Sequence, residues 1–207
     1  MLGVVKIGGA FFSEPDREKV ESVRKFVRNF KGELAFVAGG GELTKRYLSL
    51  LRPLGFSEGF LDYVGIEMTH VNARVLAKVV DGVYCRTFEQ VSANIKRRPV
   101  TGGQVPGQST DAVAAELADF LGADVLILVK DVGGIYTANP KEDRGARIIH
   151  SMTFDDLKRF ITEKSRAGYY GVIDPQAIMI ITRIRIPTYV VGLDFDFKEG
   201  TAIEERI

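Results

Sequence analysis

The sequence predicts an α/β fold built on a largely parallel sheet with helices over both faces. Three observations carry this expectation. Short, continuously apolar runs recur at 2–7, 34–38, 125–129 and 186–191, as expected of strands buried on both sides. Stretches of helical length and amphipathic pattern separate them, and such alternation builds a parallel sheet. Two of the runs close on glycine turns, Gly8-Gly9 and Gly39-Gly40-Gly41, that lead straight into helices. Open α/β sheets hold their ligands at the carboxyl ends of strands.

The elements follow in order. Leu2 to Ile7 reads as a buried strand with Lys6 near its end. Pro15 and Asp16 lead a helix whose Val20, Val23, Phe26, Val27 and Phe30 share one face. Leu34 to Ala38 is the second strand, and a helix begins near Glu42 carrying Leu43, Tyr47, Leu50 and Leu51. Phe60 to Val80 is a long helix, Tyr84 to Lys96 an amphipathic and partly helical stretch, and Pro99 to Thr101 a short strand. Ser109 or Thr110 caps a helix with Ala114, Leu117, Ala118 and Leu121 inward. Val125 to Val129 is a strand, with short flanking strands expected at Ile135 to Ala138 and Arg147 to Ile149. Thr153 caps a helix over Phe154 to Glu163, and Asp174-Pro175 starts another through Thr182. Ile186 to Val191 and Gly200 to Glu204 close the set.

Bulk properties narrow the class. A chain of 207 residues is one ordinary domain, taken here as 1–207. A hydrophobic content of 45% and a charged content of 27% suit a soluble globular protein. A formal net charge of +1 gives no electrostatic case for nucleic acid or a membrane surface. The single Cys85 excludes an intrachain disulfide and a cysteine metal cluster, and fits a reducing cytoplasm. No apolar run approaches the roughly 20 residues that span a bilayer. The opening MLGVVKIGG lacks the pattern of a signal peptide.

The stretch from Thr101 to Pro140 concentrates the chemistry. A glycine-rich loop runs into Ser109-Thr110-Asp111 at a helix start, then a strand, then a second polar turn at Lys130 to Gly134. A helix N-terminus presents unpaired N–H groups and a positive dipole end, which suits a phosphate. Lys6, beside a glycine turn, either stabilises a transferring phosphoryl group or snorkels to solvent. Asp131 at a strand end could orient a lysine or hold a metal ion. Lys45 and Arg46 could meet an acceptor phosphate or form a solvated face. Asp174 is explained by helix capping alone. His70 and His150 lack metal-ligand spacing and read as structural or surface residues. Walker, G-x-G-x-x-G and G-x-S-x-G motifs are all missing from the sequence.

Six segments in order, KIGGA, VAGGGELTKRY, FLDYVGIEMTHVNA, TGGQVPGQSTDAVAA, DVGGIYTANP and IDPQAI, with GTAIE near the end, make the chain resemble the amino acid kinase family. Within it the likeness is closest to the archaeal-type uridylate (UMP) kinases. The resemblance implies a three-layer αβα sandwich of about eight strands, an acceptor-binding half over about 1–122 and an ATP-binding half over about 123–207. It implies ATP with Mg²⁺ as donor, UMP as acceptor, a homohexamer and a cytoplasmic enzyme of pyrimidine nucleotide synthesis.

Carried over by position, Lys6 and Asp131 would be catalytic. Lys6, Gly8, Gly9, Lys130, Asp131, Tyr136, Asn139 and Pro140 would bind ATP. Gly40, Gly41, Lys45, Asp62, Gly103, Gln104, Val105, Pro106, Gly107, Gln108, Ser109 and Thr110 would surround UMP. No protein cluster of metal ligands is expected.

The chain departs from the family's pattern in four places. Lys45 stands where an Arg is usual, Gly133 where an Asp is usual, Asn139 in place of the Asp of Asp-Pro, and Met179 in place of a late lysine. Lys130, Lys141 or Arg183 would have to compensate for that lysine. Two alternatives therefore stay open: another small phosphate, phosphonate or carboxylate as acceptor, or a nucleotide- or oxyanion-binding protein with little kinase activity.

Overall fold

A computed structural model describes residues 1–13, 16–162 and 172–205. The strands are β1 (Leu2–Ile7), β2 (Glu33–Ala38), β3 (Val83–Tyr84), β4 (Pro99–Thr101), β5 (Val125–Val129), β6 (Ser151–Met152), β7 (Thr188–Val191) and β8 (Thr201–Ile203). They form an eight-stranded sheet in the order β3-β4-β2-β1-β5-β7-β8-β6. Every pairing is parallel except that of β7 with β8. The helices are α1 (Ala10–Ser13), α2 (Arg17–Asn29), α3 (Gly41–Leu51), α4 (Glu58–Val79), α5 (Phe88–Ala93), α6 (Thr110–Leu121), α7 (Phe154–Thr162) and α8 (Pro175–Ile184).

The two-residue alternation of each strand divides the core. Val4, Leu126, Leu128 and Val190 face α6, α7 and α8. Val5, Ile7, Ile127 and Val129 face α2 and α4. The sheet is thus covered on both sides, and its central strands are apolar on both faces for that reason. Truncating one of these side chains, for example Leu126→Ala, costs roughly 2–5 kcal/mol.

The chain runs from β1 to its neighbour β2, passes to the edge with β3, comes back inward with β4 between β3 and β2, and then crosses to the other side of β1 with β5. That reversal puts the switch point of the sheet between β1 and β5. Their carboxyl ends are in register, with Ile7 opposite Val129.

Helix starts follow the sequence closely. Asp16, Ser57, Ser109 and Asp174 each cap a helix, with side-chain oxygens accepting from Glu18, Phe60, Ala112 and Gln176 N–H groups respectively. Thr153 and Asp156 cap α7 reciprocally, each side chain accepting from the other's backbone N–H at 3.1 Å. Pro15 and Glu163, expected at helix ends, lie outside the described residues.

Three differences from expectation have physical causes. Ile135 to Ala138 and Arg147 to Ile149 make an isolated antiparallel bridge, Tyr136 with Ile148, rather than strands. The glycines before Ile135 turn the chain and leave too little length to propagate a ladder. The short α1, β3 and β6 were not expected, since two to four residues carry no periodicity. Only Phe88–Ala93 of the stretch from Tyr84 to Lys96 is α-helical. On α3, Leu43 and Leu50 are each 65% exposed.

Candidate functional site

Lys6 and Lys130 reach the site from adjacent strands. Lys6 is the penultimate residue of β1 and shares the face of Val4, toward α6. Lys130 directly follows β5. Both ammonium groups converge on Asp111 in the first turn of α6. Lys6 Nζ lies 2.9 Å from Asp111 Oδ1, and Lys130 Nζ donates to Oδ2.

All three side chains are nearly buried. A carboxylate is favoured at a helix N-terminus, but burial without partners would be costly. Burial pushes the Asp111 carboxyl up, yet the two ammonium groups outweigh it and hold the acid down to about 2. Burial, and then the neighbouring Lys6, lower Lys130 to about 8, while Asp111 pulls it back upward. Two cations against one anion leave the trio with an excess of one positive charge. That excess faces a cleft and calls for an anionic ligand.

The cleft has a volume of about 450 Å³ and is walled by Lys6, Lys45, Lys130, Asp131, Lys141, Thr110 and the two glycine turns. The turns touch. A Cβ on Gly9 would sit 2.3 Å from Gly41 Cα, so main chain meets main chain with no room for a side chain. Ser13 Oγ ties them, accepting from Glu42 N–H at 3.0 Å and donating to Gly9 O at 3.1 Å. Asn72 on α4 donates to both Gly39 O (2.7 Å) and Gly40 O (2.9 Å).

A second cavity of about 260 Å³ shares Gly40, Gly41, Lys45 and Thr110 with the cleft. Its other walls include Leu48, Asp62, Ile66, Gly103, Val105 and Gln108, a mixture of apolar surface and polar groups. Asp62 Oδ2 accepts from Gly107 N–H at 2.8 Å, which closes the glycine-rich loop over α4. A third cavity of about 430 Å³ lies on the other side and shares Asp131 and Val132 with the cleft. Tyr136, Ile148, Gly192, Asp194 and Glu199 line it as well. Gly133 there has φ +73°, a left-handed conformation that explains a glycine at this position.

The residues expected from sequence thus fall into three joined spaces. Lys6, Gly8, Gly9, Lys130 and Asp131 line the central cleft. Gly40, Gly41, Lys45 and Thr110 line the central cleft and the second cavity together, and Asp62, Gly103, Val105, Gly107 and Gln108 line the second. Tyr136 lies in the third.

Five fall outside these spaces. Gln104 turns into its own loop, its Nε2 donating to Arg86 O, Thr101 Oγ1 and Gly102 O. Pro106 is exposed. Ser109 caps α6 and donates to Asp174. Asn139 shapes a turn, its Oδ1 accepting from Lys141 N–H at 3.1 Å, and Pro140 is part of that turn.

Two expectations need correction. Asp131 does not orient Lys6 or Lys130. It pairs with Lys141 at 3.0 Å, half exposed on the rim, and Asp111 gathers the two lysines instead. Sequence reasoning placed Asp111 in a phosphate-binding trio without a role. The available signal was an acid at the start of an otherwise Ala-rich buried helix. Arg183 does not compensate for Met179, since it pairs with Asp119 at 2.9 Å on the exposed side of α8 and α6. Lys130 and Lys141 do line the cleft. His70, read from sequence as structural or surface, braces the loops from α4 together with Thr69 and Asn72, to which the sequence assigned no role.

Comparison with known proteins gives the family and the fold. Residues 1–192 match the profile described as "Amino acid kinase family". A uridylate kinase of Pyrococcus abyssi is 34% identical over 224 residues, covering 97% of this chain and 98% of that protein. One from Methanothrix thermoacetophila is 37% identical over 202 residues, covering 92% and 90%. The crystal structure of uridylate kinase from Archaeoglobus fulgidus superposes with a TM-score of 0.84 at 32% identity, over 98% of this chain and 100% of that one. An aspartate kinase from Synechocystis shares the fold, with a TM-score of 0.81 at 18% identity.

Proposed function

The chain belongs to the amino acid kinase family, and on that premise we propose that it is a uridylate kinase, transferring the γ-phosphoryl group of ATP to UMP to give UDP. The observation that carries this is the shared walls. A lysine-lined cleft is continuous with one cavity through Gly40, Gly41, Lys45 and Thr110, and with another through Asp131 and Val132.

In this reading the second cavity takes UMP and the third takes the ATP nucleoside. A UMP phosphate oxygen attacks the γ-phosphorus, the bond to the β-bridging oxygen breaks, and ADP leaves. No covalent enzyme intermediate is involved. Lys6 and Lys130, with the Gly8-Gly9 main chain, hold and neutralise the transferring group, which is the main work in such reactions. Asp111 keeps both ammonium groups aimed at it. Lys45 and Thr110 meet the UMP phosphate. Asp62 serves the ribose, giving up its bond to Gly107. The acceptor half, about 1–122, supplies one side of the sheet, and the donor half, about 123–207, the other.

Mg²⁺ fits the donor set as a metal carried on phosphates. Among the described residues no group of three His, Cys, Asp or Glu is placed to hold a metal, and Asp111 is already taken by two lysines. Asp131 is the carboxylate shared by the cleft and the third cavity and would hold the ion by giving up its rim pair with Lys141. Mg²⁺ bound by one carboxylate, phosphates and water is its usual arrangement, and it would neutralise charge on the donor phosphates.

We also propose a homo-oligomer, a hexamer by family resemblance, working in the cytoplasm. Exposed Leu43, Tyr47 and Leu50 on α3, Leu54 beyond it, and Phe60 and Tyr63 on α4 support a subunit interface. Monomers rarely leave such a concentration of large apolar side chains in water.

A coupled assay of ADP release with UMP, CMP, AMP and simple carboxylates tests the activity. Turnover with UMP far above the rest is expected. A faster reaction with another acceptor would replace UMP, and nucleotide binding without turnover would make the chain a binding protein.

A further inference from the structure

His70 lies on α4 behind the second cavity and is only 1% exposed. Its Nε2 is 2.8 Å from Gly103 O. A carbonyl only accepts, so Nε2 carries the proton and donates. The other nitrogen, Nδ1, then accepts from Tyr84 hydroxyl at 3.3 Å. The two rings meet edge to face, 5.8 Å apart at 89°. Arg74 lies over the outer side of Tyr84, 4.1 Å from the ring centre. Burial, and then the nearby Arg86, push the imidazole pKa down, which keeps the ring in this neutral form.

The preceding residue grips the same glycine from its other end. Gly103 N–H donates to Thr69 Oγ1 at 2.7 Å, and that hydroxyl donates to Ile66 O at 2.6 Å. Both backbone polar groups of Gly103 are therefore held by consecutive residues of one helix. A side chain at Gly102 would collide with this grip, since its Cβ would lie 2.5 Å from Thr69 Oγ1. Gly103 itself lines the second cavity, whereas His70 does not.

We infer that His70, backed by Tyr84, is a positioning residue that sets the height of Gly103 in the cavity wall and so tunes acceptor affinity without touching the acceptor. The inference rests on the uridylate reading of that cavity. Fixing a loop in its bound shape raises affinity by removing the ordering cost at binding. Loss of the donor leaves a buried carbonyl unsatisfied, so the loop shifts to recover a partner.

Steady-state kinetics of His70→Leu and His70→Gln provide the test, with Gln retaining a donor near the Nε2 position. His70→Leu is expected to raise the KM for UMP about tenfold while kcat and the KM for ATP change less than about twofold. His70→Gln recovers most of the loss. Tyr84→Phe, which removes only the hydroxyl, raises the KM for UMP about threefold and serves if His70→Leu does not fold. An unchanged UMP KM in the Leu or Phe variant would overturn the inference, as would equal rises for both substrates, or Gln no better than Leu. A wild-type enzyme that does not turn over UMP instead overturns the acceptor assignment, so the two failures are distinct.

Discussion

Asp111 and Lys6 face each other at 2.9 Å, with side chains only 7% and 8% exposed, although they are separated by most of the acceptor half of the chain. Removing one member of a buried ion pair costs roughly 3–5 kcal/mol, because the other charge stays buried and unpaired. Here two lysines would be stranded. Asp111→Asn is therefore expected to lower the denaturation midpoint clearly and kcat by about a hundredfold or more. Chemical denaturation and turnover on the same preparation check it. Wild-type stability with normal kcat would remove Asp111 from both roles.

Lys6→Ala is expected to lower kcat about a hundred- to thousandfold, the usual loss for one preorganised donor to developing charge. The change in either KM stays small beside it, because the interaction strengthens in the transition state. Unchanged turnover would exclude Lys6 from the transfer step.

Lys130 is expected to set an alkaline limit on activity. Its ammonium is lost near pH 8, well below the ordinary 10.5, because of burial and then Lys6. The plot of kcat/KM against pH is expected to fall above about 8, where the free enzyme deprotonates. Lys130→Arg, with a side chain that keeps its charge, moves the fall to higher pH or removes it. An identical limb in the variant would assign the titration elsewhere.

Asp111 gives the acid side of stability. Its folded-state pKa lies below the value of an unfolded aspartate. The unfolded chain therefore binds its proton more readily. The stabilisation is present above about pH 4 and is lost as pH falls toward 2. Urea midpoints measured from pH 6 down to 2.5 should decline in the wild type, and the Asp111→Asn variant should lose part of that slope.

The exposed α3 face predicts association. Leu50→Glu places a charge on a surface whose leucines are 65% exposed in the single chain. Sedimentation is expected to give a smaller assembly than the wild type, with secondary structure unchanged. A wild type that sediments as a monomer would make that face something other than a subunit interface.

The sheet was legible because its strands are buried on both faces. Runs such as LAFVA, closed by Gly39-Gly40-Gly41, are too short for a core helix and read as strands. The helix starts were legible through Asp16, Ser109 and Asp174, whose capping is local chemistry. Asp111 was not legible as the organiser of the lysines, because convergence of β1, β5 and α6 on one carboxylate is a property of strand order. Asp131 looked the better candidate only because it sits beside Lys130 in sequence. Adjacency in sequence does not make a contact: Asp131 lies in the turn after β5 and pairs with Lys141, while Lys130 reaches Asp111. The exposure of Leu43 and Leu50 was not legible either: an apolar helix face marks burial against something, but does not say whether the partner belongs to the same chain.

The direct contact of Gly9 with Gly41 separates two properties that most active sites entangle. In the proposed reading the phosphoryl group passes beside these two turns, which meet main chain against main chain, so no rotamer can move them apart. The cavities on either side are walled largely by side chains and by the Gly103 loop. Substitutions there can alter which acceptor is held without altering how far the group must travel. The fold thereby offers a fixed ruler between interchangeable chambers, and changes of substrate need not be bought with losses of transfer rate.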